Sequence, residues 1–133
     1  MIYLDSSALL KLIVDEPETA ALGMWLTDRS GIPVSSSELA RVEVIRACRR
    51  SAPSALLTAR LLLSSLDLIP LSGVVVDMAA ELEGATLPSL DALHLASALS
   101  IREAIDAFVA YDVRLNDAAS ACGLPTAAPG GTD

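Results

Sequence analysis

Cysteines and aromatic residues are scarce in this 133-residue sequence, with two cysteines and only 3% aromatic residues. Cys48 and Cys122 both fall in segments with a helical pattern, which is typical of small buried apolar side chains and not of a disulfide or zinc site. No basic segment followed by an apolar core stands at the N-terminus, so we expect no signal peptide and a reducing, cytoplasmic location.

A long apolar run is missing too, although 53% of the residues are hydrophobic and the mean hydropathy is +0.53. The longest candidate for a membrane-spanning segment, residues 61–76, is interrupted by Asp67 and Pro70. A membrane-spanning helix needs about 20 consecutive, mostly apolar residues. We therefore expect no membrane association.

Short apolar segments alternate with helical patterns along the whole chain. The strands are predicted near residues 2–4, 32–34, 68–71, 107–110 and 124–127, with Ser6, Ser7 and residues 35–37 as caps of the helices that follow. Alternating strands and helices predict βαβ units around a parallel sheet. We predict one α/β domain over residues 1–128, with four to five parallel strands, and a flexible tail over residues 129–133.

The formal net charge of −8 argues against a nucleic-acid partner, because phosphate contacts usually supply much of the affinity. The basic residues are unevenly distributed, however. Arg41, Arg46, Arg49 and Arg50 are four of the nine basic residues and lie in one short segment. The charge therefore weakens a nuclease interpretation without excluding it.

Two acidic residues stand where predicted strands end. Asp5 follows Ile-Tyr-Leu, and Asp112 follows Phe-Val-Ala-Tyr. Ligands of parallel sheets bind beyond the carboxyl ends of the strands, so the two carboxylates are expected to meet there. Either acid alone also fits a helix cap or a turn, but the pair favours a site.

Two further acidic residues lie in helical segments. Glu43 has apolar neighbours and should sit at the edge of a buried face, where it needs a metal or an ion pair with Arg46 or Arg50. Asp91 falls in the first turn of a predicted helix, where an acid suits the helix dipole. His94 follows three positions later on the same face of that helix, and we expect it to pack or to support the site. Glu38 is interpreted as a solvated capping residue.

Four carboxylates from separate segments suit a hard cation such as Mg²⁺, which binds a few carboxylates and keeps several waters. Such an ion can activate water for phosphodiester cleavage. The sequence has no Cys/His zinc spacing, no Walker-type phosphate loop and no Gly-x-Ser-x-Gly elbow.

The acidic segments together resemble the ordered motifs of the PIN-domain family, in particular VapC-type toxins. The first is Met-Ile-Tyr-Leu-Asp-Ser-Ser-Ala-Leu, ending at Leu9; the second is Ser-Glu-Leu-Ala-Arg-Val-Glu-Val, with Glu43 in the acidic position. Leu-Asp-Ala-Leu-His-Leu-Ala around Asp91 and Phe-Val-Ala-Tyr-Asp ending at Asp112 resemble the third and fourth.

The resemblance implies a three-layer α/β/α fold, usually dimeric, that binds Mg²⁺ or Mn²⁺ through Asp5, Glu43, Asp91 and Asp112. It implies endonucleolytic cleavage of RNA, with Ser7 hydrogen-bonded within the site and Ser6 and His94 in supporting positions. It also implies a VapB-type antitoxin, for which the apolar segments at residues 9–13 and 22–26 are candidate contacts. The family's basic residue near Pro88 is missing, so Lys11, Arg41 and Arg46 become the candidate RNA contacts.

Three other interpretations compete with a nuclease. A receiver-type signalling domain needs paired acids after the first strand and a lysine after a late strand, whereas the first strand is followed by Asp-Ser-Ser and Lys11 is the only lysine. A haloacid-dehalogenase-like phosphatase needs Asp-x-Asp, but residue 7 is serine. A catalytically inactive PIN fold that binds RNA or protein is the third alternative, and the presence of all four acidic residues argues against it.

Overall fold

A five-stranded sheet in the order β3-β2-β1-β4-β5 forms the centre of the computed structural model, which describes residues 1–84 and 86–131. Every neighbouring pair of strands is parallel. The strands are β1 (Ile2–Leu4), β2 (Val34–Ser37), β3 (Asp67–Ile69), β4 (Ala107–Val109) and β5 (Thr126–Ala127). The helices are α1 (Ser6–Lys11), α2 (Thr19–Thr27), α3 (Ala40–Ser51), α4 (Leu56–Ser64), α5 (Gly73–Glu81), α6 (Ser89–Leu99) and α7 (Val113–Ala121), with 3₁₀ turns at Pro53–Ala55 and Arg102–Ala104.

Buried side chains cover both faces of the sheet. Ile2 and Leu4 of β1 belong to one core cluster, with residues of α1, α2 and α3. Tyr3 points to the opposite face, where it packs in a second cluster with residues of α6 and α7. Successive residues of a strand point to opposite faces, so this alternation produces three layers. The predicted α/β/α architecture with a parallel sheet is confirmed.

The second strand differs from its prediction. It begins at Val34, and the three serines expected to cap a helix form the strand itself. Residues 35–37 pair with β3, and the side chains of all three serines are fully buried. Serine favours caps through local hydrogen bonds, but here the ladder with two neighbouring strands satisfies the backbone instead.

The helix caps also differ from the sequence interpretation. Asp5, not Ser6 or Ser7, caps α1, because its side chain accepts a hydrogen bond from the backbone N–H of Ala8. Glu38 lies before α3, and its side chain forms no cap hydrogen bond; its N–H donates to the carbonyl of Ile69, the last residue of β3. A residue just beyond a strand end can extend the ladder, and this extension keeps Glu38 outside the helix.

The apolar segments suggested as antitoxin contacts are partly inside the protein. Leu9 and Leu22 are completely buried in the first core cluster, so they cannot present a docking surface. Met24, two residues after Leu22 in α2, is exposed. Leu9 and Leu22 are therefore removed from the set of candidate contacts.

The C-terminal segment makes contacts up to Gly131. The hydroxyl of Tyr111 donates to the carbonyl of Pro129 over 2.8 Å, and the N–H of Gly131 donates to Ala128. Thr132 and Asp133 lie outside the described residues, and the flexibility of residues 129–133 stays a prediction. Among the helices that the structure describes, none is long and apolar enough to cross a membrane.

Candidate active site

The ends of β1 and β4 bring two of the predicted carboxylates to one edge of the sheet. These strands are neighbours, with Leu4 opposite Val109, and the N–H of Asp5 donates to the carbonyl of Val109 over 3.1 Å. Asp112 follows three residues after Val109 and caps α7 through the N–H groups of Arg114 and Leu115. Each acid is therefore a helix cap as well as a candidate site residue.

Asp5 is the most deeply buried of the four carboxylates, at 5% exposure. Its Oδ1 accepts hydrogen bonds from the Ser7 hydroxyl at 2.7 Å and from the N–H of Ala8 at 2.9 Å. The same hydroxyl accepts from the N–H of Tyr111 at 3.3 Å, which ties α1 to the end of β4. Burial raises the pKa of Asp5 despite these hydrogen bonds, and the nearby charge of Asp91 adds to the rise.

Glu43 is held in place by His94, which lies on α6 together with Asp91. His94 Nε2 lies 2.7 Å from Glu43 Oε1, and the Ser6 hydroxyl donates to the same oxygen over 2.6 Å. Partial burial works to raise the pKa of Glu43, but the hydrogen bonds from His94 and Ser6 outweigh it and hold that pKa below its usual value. No described arginine pairs with Glu43, so the alternative of an Arg46 or Arg50 ion pair is wrong.

The other ring nitrogen of His94 contacts the core. Nδ1 lies 2.7 Å from the hydroxyl of Tyr3, which is fully buried and stacks on Phe108. Burial raises the pKa of Tyr3 well above its ordinary value, so the phenol keeps its proton. Nδ1 accepting from the Tyr3 hydroxyl and Nε2–H donating to Glu43 satisfy this network, and we assign these two roles from the partners.

The charge of Asp91 interacts with the charges of Asp5, Glu43 and Asp112. It lies half-buried in the first turn of α6. Burial raises the pKa of Asp91, and the nearby charges of Asp112 and Glu43 raise it further. Asp112 is more exposed, and its only near cation among the described residues is Arg114, at 3.6 Å. Like charges this close disfavour one another's ionisation, so the cluster has an excess of negative charge.

The donor set fits a hard divalent cation, for which carboxylate oxygens are the preferred ligands. No three His, Cys, Asp or Glu side chains within residues 1–84 and 86–131 already converge to hold one ion. An ion there would bind few carboxylates and keep several waters, which is the usual mode of Mg²⁺. The chemistry of the donors therefore suits such an ion, with Asp5, Glu43, Asp91 and Asp112 as the candidate ligands, and their side chains would have to move to bind one ion together.

The three basic candidates lie outside the carboxylate cluster. Lys11 is largely buried and pairs with Glu16 at 2.6 Å and Glu18 at 2.9 Å. Its ammonium also lies 4.7 Å from the centre of the Tyr111 ring. Arg41 and Arg46 are exposed on α3. A contact of Lys11 with RNA would require breaking two ion pairs, whereas the two arginines are accessible.

Tyr3 is the site residue that the sequence interpretation missed. A tyrosine inside an otherwise aliphatic three-residue strand was a usable signal, because a buried phenol hydroxyl needs a polar partner. His94 is the only histidine in the chain and lies on a helix packed against that strand's face. The pairing could have been proposed from these two facts.

The pKa of Asp5 leads to a stability prediction for the metal-free protein. Since burial raises this pKa in the folded state, the ionised carboxylate opposes folding above the unfolded pKa, and the cost disappears when both states are protonated. Asp5→Asn removes the charge but keeps a good cap. In EDTA, urea unfolding should therefore show the variant more stable than wild type at pH 7, with the difference vanishing below about pH 3.8. A pH-independent difference would contradict this origin.

The sequence comparisons identify the family. A profile described as the PIN domain matches residues 2–121. Ribonuclease VapC47 of Mycobacterium tuberculosis (strain CDC 1551 / Oshkosh) is 46% identical over 133 residues, covering 98% of each chain. Ribonuclease VapC35 of the same strain is 42% identical over 132 residues, again covering 98% of each chain.

Solved structures share the fold at lower identity. VapBC2 from Rickettsia felis bound to a DNA fragment from their promoter gives a TM-score of 0.76 at 15% identity, covering 97% of this chain and 99% of the other. Mycobacterium tuberculosis VapC20, described as a Sarcin-Ricin loop cleaving toxin, gives 0.73 at 17% identity, covering 97% and 100%. The resemblance seen in the motifs is confirmed: this chain belongs to the PIN-domain family and is related to its VapC proteins.

Proposed function

We propose that this protein is a metal-dependent endoribonuclease and the toxin of a type II toxin–antitoxin pair. The observation that carries the proposal is the acidic cluster at the carboxyl edge of the sheet. Burial raises the pKa of Asp5 and of Asp91, the neighbouring carboxylates raise both further, and Arg114 is the single described basic side chain that pairs with a member of the cluster at less than 4 Å, apart from His94 beside Glu43. The curated relatives are named ribonucleases, which supports the same chemistry for this cluster.

Asp5, Glu43, Asp91 and Asp112 would hold Mg²⁺ or Mn²⁺. Such a cation supplies an activated water and stabilises charge on the phosphate in phosphodiester cleavage. The protein's part is orientation. Ser7 holds one oxygen of Asp5, while Ser6 and His94 hold one oxygen of Glu43, so the remaining lone pairs of both carboxylates are left for the site.

The partners are proposed from the relatives. Structural neighbours include VapBC complexes from Rickettsia felis and nontypeable Haemophilus influenzae, so we propose a VapB-type antitoxin as the partner that restrains this protein. A homodimer is proposed from the family resemblance alone. RNA is the proposed substrate, and unpaired bases in a folded RNA would be recognised by shape and stacking.

Metal removal tests the activity. Purified protein incubated with a mixture of cellular RNAs in Mg²⁺ should produce discrete new ends, and EDTA should abolish them because the cation would supply the activated water. Excess Mg²⁺ or Mn²⁺ should restore cleavage. Sustained cleavage in EDTA would contradict metal dependence, and RNA binding without cleavage in any metal would favour the inactive binding module.

A further inference from the structure

We infer that Arg46, Arg49 and Arg50 form a binding cleft for a backbone phosphate of the RNA substrate, on the helix that also carries Glu43. The inference rests on the proposed ribonuclease function and names a part of the protein that would hold the substrate. The three arginines alone line a surface cleft of about 310 Å³. All three are exposed.

The cleft and Glu43, one member of the acidic cluster, lie on the same helix, α3. A turn of about 3.6 residues places Arg46 and Arg50 within roughly 60° of Glu43 around the axis of α3. A rise of about 1.5 Å per residue places Arg50 roughly 10 Å further along it. Since His94 and Ser6 hold Glu43 at the other end of this stripe, a strand of RNA leaving the carboxylates along α3 meets the arginines next.

No ion pair compensates the charges of these arginines in the part of the chain that the structure describes. None of the three forms an ion pair with the described part of the chain, although acidic residues outnumber basic ones by 17 to 9. Arg49 and Arg50 lie in the last turn of α3, where cations suit the helix dipole. That effect does not explain Arg46 or the shared cleft. Three guanidinium groups facing one space repel one another until an anion is bound.

Phosphate is the anion whose chemistry matches. Guanidinium groups bind phosphate oxygens through paired, charge-assisted hydrogen bonds. A backbone phosphate would be recognised in any sequence context, because phosphate contacts position a nucleic acid and carry no base information. The cleft would therefore orient RNA and increase affinity without choosing the cleavage site.

The test compares Arg46→Gln/Arg50→Gln with Arg60→Gln/Arg102→Gln, a control that removes the same charge from exposed arginines on other elements. Arg60→Gln alone is the control for a single Arg50→Gln. In RNA cleavage, the cleft variants should raise KM by about tenfold or more and leave kcat unchanged.

A binding measurement separates this inference from the proposed function. Asp5→Asn protein should bind a labelled single-stranded RNA, and adding Arg46→Gln/Arg50→Gln should reduce the slope of log affinity against log salt by about 0.7 for each lost phosphate contact. Wild type that never cleaves RNA would reject the proposed function, whereas wild-type cleavage with unchanged KM and salt slope in the cleft variants would reject the cleft.

Two other outcomes would also overturn the inference. A lower free energy of unfolding with unchanged KM and salt slope would show that the arginines serve the helix dipole. Unchanged RNA affinity combined with loss of binding to the cognate antitoxin would assign the cleft to an acidic segment of a protein partner instead.

Discussion

Asp5→Asn should lower the rate of RNA cleavage by about 10³-fold or more, which corresponds to losing roughly 4 kcal/mol of transition-state stabilisation. The carboxylate is the most buried of the cluster, and its hydrogen bonds to Ser7 and Ala8 leave its orientation fixed. Asparagine can accept the same two hydrogen bonds but is a weaker ligand for a hard cation. The measurement is the single-turnover cleavage rate of one defined RNA in Mg²⁺.

The matched control is Glu38→Gln, an acid-to-amide change between β2 and α3. Glu38 is exposed and precedes α3, so its removal should leave the cleavage rate unchanged. Urea unfolding of both variants checks that the fold is retained. Equal cleavage by wild type and Asp5→Asn would contradict the role given to the buried carboxylate.

His94→Ala is expected to reduce both stability and cleavage. The ring is 2% exposed and connects the Tyr3 hydroxyl to Glu43. Its removal leaves a cavity and a buried phenol without its partner, which should lower the free energy of unfolding by about 2–4 kcal/mol. Glu43 would keep the hydrogen bond from Ser6 but lose the one that fixes it to α6. Cleavage should therefore fall by about 10–100-fold, as for partners that orient a metal ligand.

Two conservative variants separate positioning from simple destabilisation. His94→Gln can return an N–H to the place of Nε2 and should recover part of the cleavage rate. Tyr3→Phe keeps the stack on Phe108 and removes the hydroxyl, so it should cost stability with a smaller loss of cleavage. If cleavage followed stability alone across His94→Ala, His94→Gln and Tyr3→Phe, the positioning role of His94 would be wrong.

The fold was predictable because β1, β3 and β4 are short, mostly apolar segments that lie next to segments with a helical pattern. The exception is β2, where residues 35–37 are serines that favour caps by their local chemistry. Their burial is imposed by pairing with β3, a contact from a distant part of the chain. Local propensity cannot report such a contact, whereas the Asp5 cap of α1 is local and was one of the two roles that its position offered.

The positions of the carboxylates were predictable to a similar degree. Asp5 and Asp112 were located by the rule for strand ends, and neighbouring strands do bring them to one edge. The partner of Glu43 was not, because helical spacing favours Arg46 and Arg50 while the actual partner, His94, is 51 positions away. Their roles in binding metal and RNA stay predictions until variants are assayed.

Ribonuclease toxicity is tested by growth after induced expression, with wild type and Asp5→Asn produced at matched levels in a bacterial host that lacks the antitoxin. We expect arrest by the wild type alone, with intact bulk DNA and defined new RNA ends that locate the target. Equal growth of both strains, with no new RNA ends in either, would contradict a ribonuclease toxin built on this acidic cluster.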